Sequence, residues 1–172
     1  MTTHDAPFPT GVTEPEYELY GRGEHAVDVD PAGVFSQIND EDAEYRARAR
    51  TFALDEVAPI IDGYWDRADY PLHLVKRLGD LDLLRDGVDV AGRPHQSRLA
   101  AGLVNAELSR VDGSVGTILG VQGGLALRSI VDCGSPEQIE RWAGRMADGT
   151  LPGAFALTEP THGSDSVGLE TS

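Results

Sequence analysis

The sequence predicts a mainly α-helical fold, in which a helical domain is followed by the start of a β-domain. Apolar residues recur every three or four positions in five segments between residues 39 and 150, which is the period of helices packed on one side. Capping residues stand where several of these segments begin. A short apolar run at residues 154–157 then meets a loop rich in glycine and proline, which indicates a strand leading into a loop. We therefore divide the chain into an extension (1–38), a helical domain (39–150) and the beginning of a β-domain (151–172).

Residues 1–38 contain prolines, glycines and acidic residues without sustained periodicity, which predicts an extension or tail that is ordered against the body in places. His25, Asp28 and Asp30 are residue types that bind metals. Their spacing matches no known ligand set, so we predict no metal site.

The first predicted helix begins at Asn39, a suitable N-cap followed by three acidic residues, and ends or kinks at Pro59. Its apolar stripe consists of Tyr45, Ala49, Phe52, Ala53 and Val57. We interpret Arg46, Arg48 and Arg50 as its solvated side. Pro71 suits the first turn of a second helix, whose predicted inward residues are Leu72, Val75 and Leu78, and residues 86–94 form a loop.

The third predicted helix runs from about His95 to Val111. Its apolar stripe consists of Leu99, Leu103, Val104, Leu108 and Val111. Glu107 and Arg110 are spaced to form an i, i+3 pair, which we place on its surface.

The fourth predicted helix, residues 113–132, is apolar nearly all round and carries glycines 116, 120, 123 and 124. Each interior glycine costs about 1 kcal/mol relative to alanine, so close helix packing or a ligand lying along the glycines must offset that cost. Cys133 is predicted to be an inert, buried thiol. In the fifth helix, Ser135 caps, Pro136 takes the first position and Gln138 completes a capping box. Its predicted buried face consists of Ile139, Trp142, Ala143 and Met146.

The composition restricts the classes of partner. The chain has 172 residues, 40% of them hydrophobic, and a net charge of −15, which argues against nucleic acid and anionic membranes as partners. No apolar run reaches the roughly 18 to 20 residues of a membrane helix. The N-terminus lacks the features of a signal peptide, and a single cysteine fits a reducing compartment. We therefore predict a cytoplasmic protein.

The most specific pattern lies at residues 153–165, where Phe155, Leu157 and Thr158 lead through Glu159-Pro160 to a glycine–serine–aspartate run. This segment strongly resembles the flavin-binding signature of the acyl-CoA dehydrogenase family. Residues 106–112 and 134–149 also resemble that family. The resemblance implies FAD as cofactor, with Phe155 against the flavin ring.

The resemblance assigns the other site residues one by one. Leu157 and Thr158 would bind the pyrimidine edge of the flavin through backbone and hydroxyl. Gly163 and Ser164 would meet the pyrophosphate, with Ser164 also near coenzyme A. The fourth helix would line the acyl chain, flanked by Thr117, Val121 and Leu125.

The reaction implied by the resemblance is FAD-dependent α,β-dehydrogenation of an acyl-CoA thioester to the 2-enoyl-CoA. The family's catalytic base is a glutamate beyond residue 172, so we expect a truncated piece with no catalytic residue of its own. Further implied partners are a second copy of the chain, as a homotetramer or dimer, and an electron-transfer flavoprotein. The sequence is most similar to the glutaryl-CoA branch, but Gly116-Thr117 replaces that branch's carboxylate-binding Arg-Ser pair.

Two other classes stay open at this point. One is a related flavoenzyme on the same scaffold, an acyl-CoA oxidase or a nitroalkane-oxidising enzyme. The other is a non-catalytic helical interaction module. Oxygen reactivity and flavin absorbance of the full-length protein distinguish them.

Overall fold

The structure is a computed structural model that describes residues 19–20, 27–28, 30 and 32–171. The chain divides into two compact units, Met1–Asp40 and Glu41–Ser172. In the first unit, strands Leu19–Tyr20 (β1) and Val27–Asp28 (β2) pair antiparallel, with Leu19 opposite Asp28. Asp30 accepts hydrogen bonds from the first N–H groups of the 3-10 helix Val34–Gln37. His25 lies outside the described residues.

In the remainder of the described chain the regular elements are helices, separated and followed by loops. The helices are Asp40–Phe52 (α1), Ile61–Asp66 (α2), His73–Asp80 (α3), Arg98–Val111 (α4), Gly113–Leu119 (α5), Arg128–Cys133 (α6) and Pro136–Ala147 (α7). Two wider π-helical segments extend this set. Ala53–Val57 continues α1, and Gly120–Leu127 joins α5 to α6 into one helix, Gly113–Cys133. All five predicted helices are therefore present, and the short α2 is the one that the sequence analysis missed.

Two clusters of apolar side chains hold the helices together. The larger one joins α1, α3, α4 and α5 and contains Phe52, Leu78, Val104, Leu108 and Leu119. The smaller one joins the loop after α3 to the π-helical segment and α7 through Val88, Leu127 and Met146. The long helix Gly113–Cys133 contributes to both clusters, which explains why its sequence is apolar on several sides.

Two residues that were predicted to face the interior, Leu72 and Leu99, are exposed in the structure. Leu72 is 73% exposed and Leu99 is 52% exposed. Helix α3 begins at His73, so Leu72 precedes it, and Leu74 takes the buried position instead. In α4 the interior side begins at Ala100. Cys133 is exposed at the end of α6, so the prediction of a buried thiol is wrong.

The predicted strand at residues 154–157 does not form in the structure. A β-strand needs a neighbour for its backbone hydrogen bonds, and within residues 32–171 no other strand is present to supply one. The helical part of the predicted fold is confirmed.

The charged residues of α1 and α4 also differ from expectation. Glu107 and Arg110 pair at 3.0 Å as predicted, but Glu107 is only 3% exposed. Its other carboxylate oxygen lies 3.0 Å from Nε of Arg46. Arg46 therefore faces a neighbouring helix rather than solvent, and Glu107 is a buried carboxylate between two guanidinium groups.

One described helix, Gly113–Cys133, is long and apolar enough to cross a membrane by length and composition. Gln122 and Arg128 interrupt its apolar residues, so it is not one continuous apolar run. Of its most apolar stretch 39% is buried inside the fold, and core helices of soluble proteins can be equally long and apolar.

Candidate functional site

The signature segment begins where the chain leaves α7 and crosses the long helix. The side chain of Gln122 hydrogen-bonds both polar backbone atoms of Gly153, at 2.6 Å to its carbonyl and 2.7 Å from its N–H. A Cβ at Gly153 would lie 2.8 Å from both Ala126 Cβ and Met146 Cε, so only glycine fits there. The segment is thus attached to the helix two residues before Phe155.

Beyond Gly153 the predicted cofactor residues face solvent. Phe155 is 42% exposed and Leu157 is 40% exposed, and Thr158 and Ser164 are exposed as well. The hydroxyls of Thr158 and Ser164 make no hydrogen bond with another described residue, and a Cβ at Gly163 would meet nothing within 4 Å. The segment therefore presents apolar surface, two available hydroxyls and an accessible stretch of backbone.

Glu159 holds the loop in shape. Its carboxylate accepts hydrogen bonds from the N–H groups of Glu170, at 2.9 Å, and Thr171, at 2.8 Å, and from the Thr171 hydroxyl. The backbones of Glu159 and His162 also exchange hydrogen bonds. The Thr171 hydroxyl, helped by the two N–H groups, lowers the pKa of Glu159. This carboxylate is a structural hydrogen-bond acceptor within the loop.

The predicted acyl-lining residues lie on the long helix. Thr117 and Leu125 are exposed and Val121 is partly buried. The Thr117 hydroxyl donates to the Gly113 carbonyl at 2.8 Å, so it is engaged within the helix. Because the segment Gly120–Leu127 is π-helical, residues four apart do not stay on one line as they would in a regular α-helix.

The glycines of this helix divide between the two explanations. A Cβ at Gly116 would lie 1.9 Å from Ser109 Oγ, and a Cβ at Gly123 would lie 2.4 Å from the Leu84 carbonyl oxygen. One at Gly124 would lie 2.4 Å from Asp86 Oδ2. Close packing accounts for Gly123, which faces fixed backbone, and for Gly116, which also lies close to Ser109 Cβ, whereas the Asp86 carboxylate near Gly124 ends a side chain that can rotate away. Among the described residues nothing lies within 4 Å of the Cβ position of Gly120, so this glycine leaves open space on the helix surface.

A cleft away from the signature segment contains charged side chains. An open cleft of about 730 Å³ lies between α1, the loop after α3 and α7, lined by Arg48, Arg93, Arg141 and Arg145 together with three acidic residues. None of the predicted site residues lines it. Within the described residues, no group of three or more His, Cys, Asp or Glu side chains is placed to hold a metal ion.

Comparison with known proteins agrees with this geometry. A family model described as acyl-CoA dehydrogenase, N-terminal domain, matches residues 39–150. The chain belongs to the acyl-CoA dehydrogenase family. An acyl-CoA dehydrogenase of Bacillus subtilis (strain 168) is 32% identical over 137 residues, covering 78% of this chain and 36% of that protein. The resemblance inferred from the signature is thereby confirmed.

Solved acyl-CoA dehydrogenase family members extend the comparison to structure. Glutaryl-CoA dehydrogenase from Mycobacterium smegmatis is 34% identical with a TM-score of 0.75, covering 80% of this chain and 36% of that one. A glutaryl-CoA dehydrogenase from the same organism, in complex with FADH2, is 30% identical with a TM-score of 0.74, covering 78% of this chain and 35% of that one. The chain thus spans well under half the length of these relatives.

The structure links the segment that carries the predicted flavin residues to the helix that carries the predicted acyl-lining residues. Gln122 attaches the signature segment to the helix that carries Thr117, Val121 and Leu125. Sequence reasoning missed both Gln122 and the loop-holding role of Glu159. A glutamine in an otherwise apolar helix was the available signal for the first, because a buried carboxamide needs partners. The individual assignments to flavin and acyl chain stay predictions.

Proposed function

We propose that this chain supplies the N-terminal part of an enzyme that uses FAD to dehydrogenate an acyl-CoA thioester between its α and β carbons. The carrying observation is the segment after Gly153, which is fixed to the helical domain at one end and beyond it presents exposed hydroxyls and half-exposed apolar side chains. Membership of the family supports the same conclusion.

The residues present fit FAD. The flavin ring system is flat and apolar with a polar edge, and its pyrophosphate is an anion that backbone N–H groups and hydroxyls bind well. Phe155 would lie against the ring, and Leu157 and Thr158 would bind its polar edge. Gly163 and Ser164 would hold the pyrophosphate, where no side chain crowds the Gly163 backbone. FAD supplies the hydride acceptor, and the protein holds and orients the reactants.

The acyl side of the proposed site lies on the long helix. Val121 and Leu125 offer apolar surface to the tail, and Gly120 leaves room for it. Thr117 contributes its methyl group, because its hydroxyl is engaged within the helix. Ser164 would reach the coenzyme A part as well as the cofactor.

The proposed substrate carries no carboxylate at the far end of its acyl group. Any side chain at Gly116 would collide with Ser109, so the position that matches the carboxylate-binding arginine of the glutaryl-CoA branch has no space for one. Arg128 is a poor replacement, because its guanidinium donates to the Asp86 carbonyl at 2.9 Å. Both observations favour a monocarboxylic acyl group.

Flavin absorbance of the purified full-length protein tests the proposal. We expect a yellow protein whose visible absorbance is bleached anaerobically by straight-chain or branched acyl-CoA and much less by glutaryl-CoA. A colourless protein that takes up no added FAD would contradict the proposal and favour an interaction module. Rapid reoxidation by oxygen after bleaching would instead indicate an oxidase.

A matched pair of variants tests the cofactor assignment. Thr158→Val removes one hydroxyl at the proposed polar edge, and we expect the dissociation constant for FAD to rise about tenfold, as for loss of an ordinary hydrogen bond. Thr161→Val removes an exposed hydroxyl three residues further on and should leave the constant unchanged. Equal effects of both variants would contradict the assignment.

The proposal extends to partners. We propose that the full-length enzyme is a homo-oligomer, a tetramer or dimer, and passes its electrons to an electron-transfer flavoprotein. Light scattering measures the oligomeric state. To test the electron acceptor, an electron-transfer flavoprotein is added during turnover. We expect it to be reduced, and the absence of reduction would contradict the assigned acceptor.

A further inference from the structure

The side chain of Gln122 makes an unusual contact, because one carboxamide satisfies both polar backbone atoms of one residue. Its Nε2 donates to the Gly153 carbonyl at 2.6 Å, and its Oε1 accepts from the Gly153 N–H at 2.7 Å. A hydrogen-bonded residue pair between two antiparallel strands exchanges the same two bonds. Gln122 thus supplies the pairing that a neighbouring strand would otherwise give to this segment.

We propose that Gln122 is a positioning residue, which sets the register of the flavin-binding segment against the acyl-lining helix. This inference rests on the proposed function. Gln122 follows Val121 directly, and Gly153 precedes Phe155 by two residues. The one contact therefore couples the residues assigned to the acyl chain with the residues assigned to the flavin ring. The distance between cofactor and substrate depends on it.

The surroundings of the contact make it rigid. Gln122 is 6% exposed, so water does not compete well for its carboxamide. Ala126 and Met146 close the space around Gly153 so tightly that a Cβ would approach either one to 2.8 Å. A segment held by two hydrogen bonds and enclosed by side chains on two sides cannot slide along the helix by one residue without losing both bonds.

The π-helical segment explains why a glutamine can point inward here. Gly120–Leu127 is wider than an α-helix, and such segments redirect side chains and are frequent at functional sites. Within it Gln122 and Ala126 are buried while Leu125 is exposed. The helix thus presents its polar anchor to Gly153 and its apolar side chain to solvent.

Amide hydrogen exchange at Gly153 in the full-length protein tests the contact without relying on catalysis. Gln122→Met preserves the side chain's length and removes both hydrogen bonds, and we expect exchange at Gly153 to accelerate about tenfold. Gln96→Met is the matched control. Gln96 is 1% exposed and accepts from the Gly87 N–H at 2.7 Å, so its loss removes a comparable buried bond elsewhere. Unchanged exchange in Gln122→Met, or equal acceleration in Gln96→Met, would overturn the proposal.

A second variant covers the case in which Gln122→Met fails to fold. Gln122→Glu keeps the acceptor for the Gly153 N–H and loses the donor to its carbonyl. We expect the Gly153 N–H to keep part of its protection, because its own bond remains while the carboxylate repels the Gly153 carbonyl, and we expect the flavin absorption band to shift. If the Gly153 N–H of this variant lost its protection from exchange only together with the amides of the whole chain, the specific positioning role of Gln122 would be overturned.

The effect on the cofactor distinguishes positioning from folding. In Gln122→Met we expect a shifted flavin band and a fall in kcat of about tenfold with little change in KM. Gln96→Met should leave both unchanged. If the unaltered protein binds no FAD, the proposed function fails while the exchange measurement still decides the contact. If it binds FAD and Gln122→Met leaves band and kcat unchanged, the positioning role fails and the function stands.

Discussion

At the scale of single residues, Arg85 is the most informative, because it is fully buried yet charged. Its guanidinium pairs with the Asp82 carboxylate at 2.7 and 2.8 Å and donates to the carbonyls of Val88 and Pro94, both at 2.9 Å. A buried cation is tolerated only with such complete pairing. Arg85 thereby fixes the loop at residues 86–94, which the sequence showed only as an irregular stretch.

The buried carboxylate of Glu107 leads to a prediction about stability. Glu107→Gln removes the charge between Arg46 and Arg110, and leaving two mostly buried guanidinium groups without it should lower the free energy of unfolding by about 3 to 5 kcal/mol. Glu44→Gln is the control. Its pair with Arg48 is exposed and should contribute no more than about 0.5 kcal/mol. Denaturant titration measures both, and similar values for the two would contradict the prediction.

At the scale of elements, the π-helical segment and its glycines decide how closely the long helix packs. Gly123 approaches the backbone of Leu84 and Arg85, whereas Gly120 faces open space. The two glycines lie three residues apart in one helical segment, so each has the same cost in helix propensity. Only their surroundings differ. Sequence alone gives no means to tell them apart.

Alanine at each glycine tests this difference. Gly123→Ala places a Cβ 2.4 Å from a backbone oxygen that cannot rotate away, and we expect a loss of at least about 1 to 3 kcal/mol. Gly120→Ala should raise stability by up to about 1 kcal/mol, through helix propensity. Thermal unfolding of each variant shows whether its stability falls or rises relative to the parent protein. A stable Gly123→Ala protein would contradict the close packing.

The capping box of α7 gives a second prediction at this scale. The Ser135 hydroxyl accepts from the Gln138 N–H at 3.3 Å, and Gln138 Oε1 accepts from the Ser135 N–H at 2.8 Å. Ser135→Ala should cost about 1 kcal/mol. Ser166→Ala, in an exposed turn, should stay within about 0.5 kcal/mol of the parent protein. If Ser135→Ala did not lower the free energy of unfolding, the capping box would contribute little to stability here.

At the scale of the whole molecule, the net charge of −15 reflects an excess of carboxylates, which take up protons at low pH. The dependence of stability on pH below neutrality therefore reports on them. Burial alone raises the pKa of Asp82, but hydrogen bonds from Arg85 and Arg93 outweigh it and hold that pKa below its ordinary value of 3.8. A lowered pKa in the folded state stabilises the protein above the unfolded value, and this stability disappears as pH falls through the folded pKa.

Asp82→Asn tests this directly. We expect the unaltered protein to lose stability as pH falls below about 4, and the variant to lose less over the same interval, because it has no proton to take up there. The variant should also be less stable at neutral pH, since Arg85 loses its carboxylate. Denaturation followed from pH 7 downwards measures both. If the two proteins lost the same unfolding free energy between pH 7 and acid pH, the role of Asp82 would be contradicted.

The two parts of the molecule differ in how far the sequence predicted them. Helix α7 was predicted with its cap residue because Ser135, Pro136 and Gln138 act within one turn. The strand at residues 154–157 was wrong because its partner must come from elsewhere in space. Arg46 and Glu107 looked like surface charges, because nothing local indicates that α1 and α4 pack through them.

The sequence by itself determined the five longer helical segments, the cap of α7 and the family to which the signature belongs, since all of these depend on residues close together in the chain. The tertiary structure decided which charges are buried, which glycines are crowded and which side chain anchors the signature segment. Those properties depend on distances between residues far apart in sequence, such as the 31 positions between Gln122 and Gly153. Local periodicity carries no information about such distances, because packing between elements sets them.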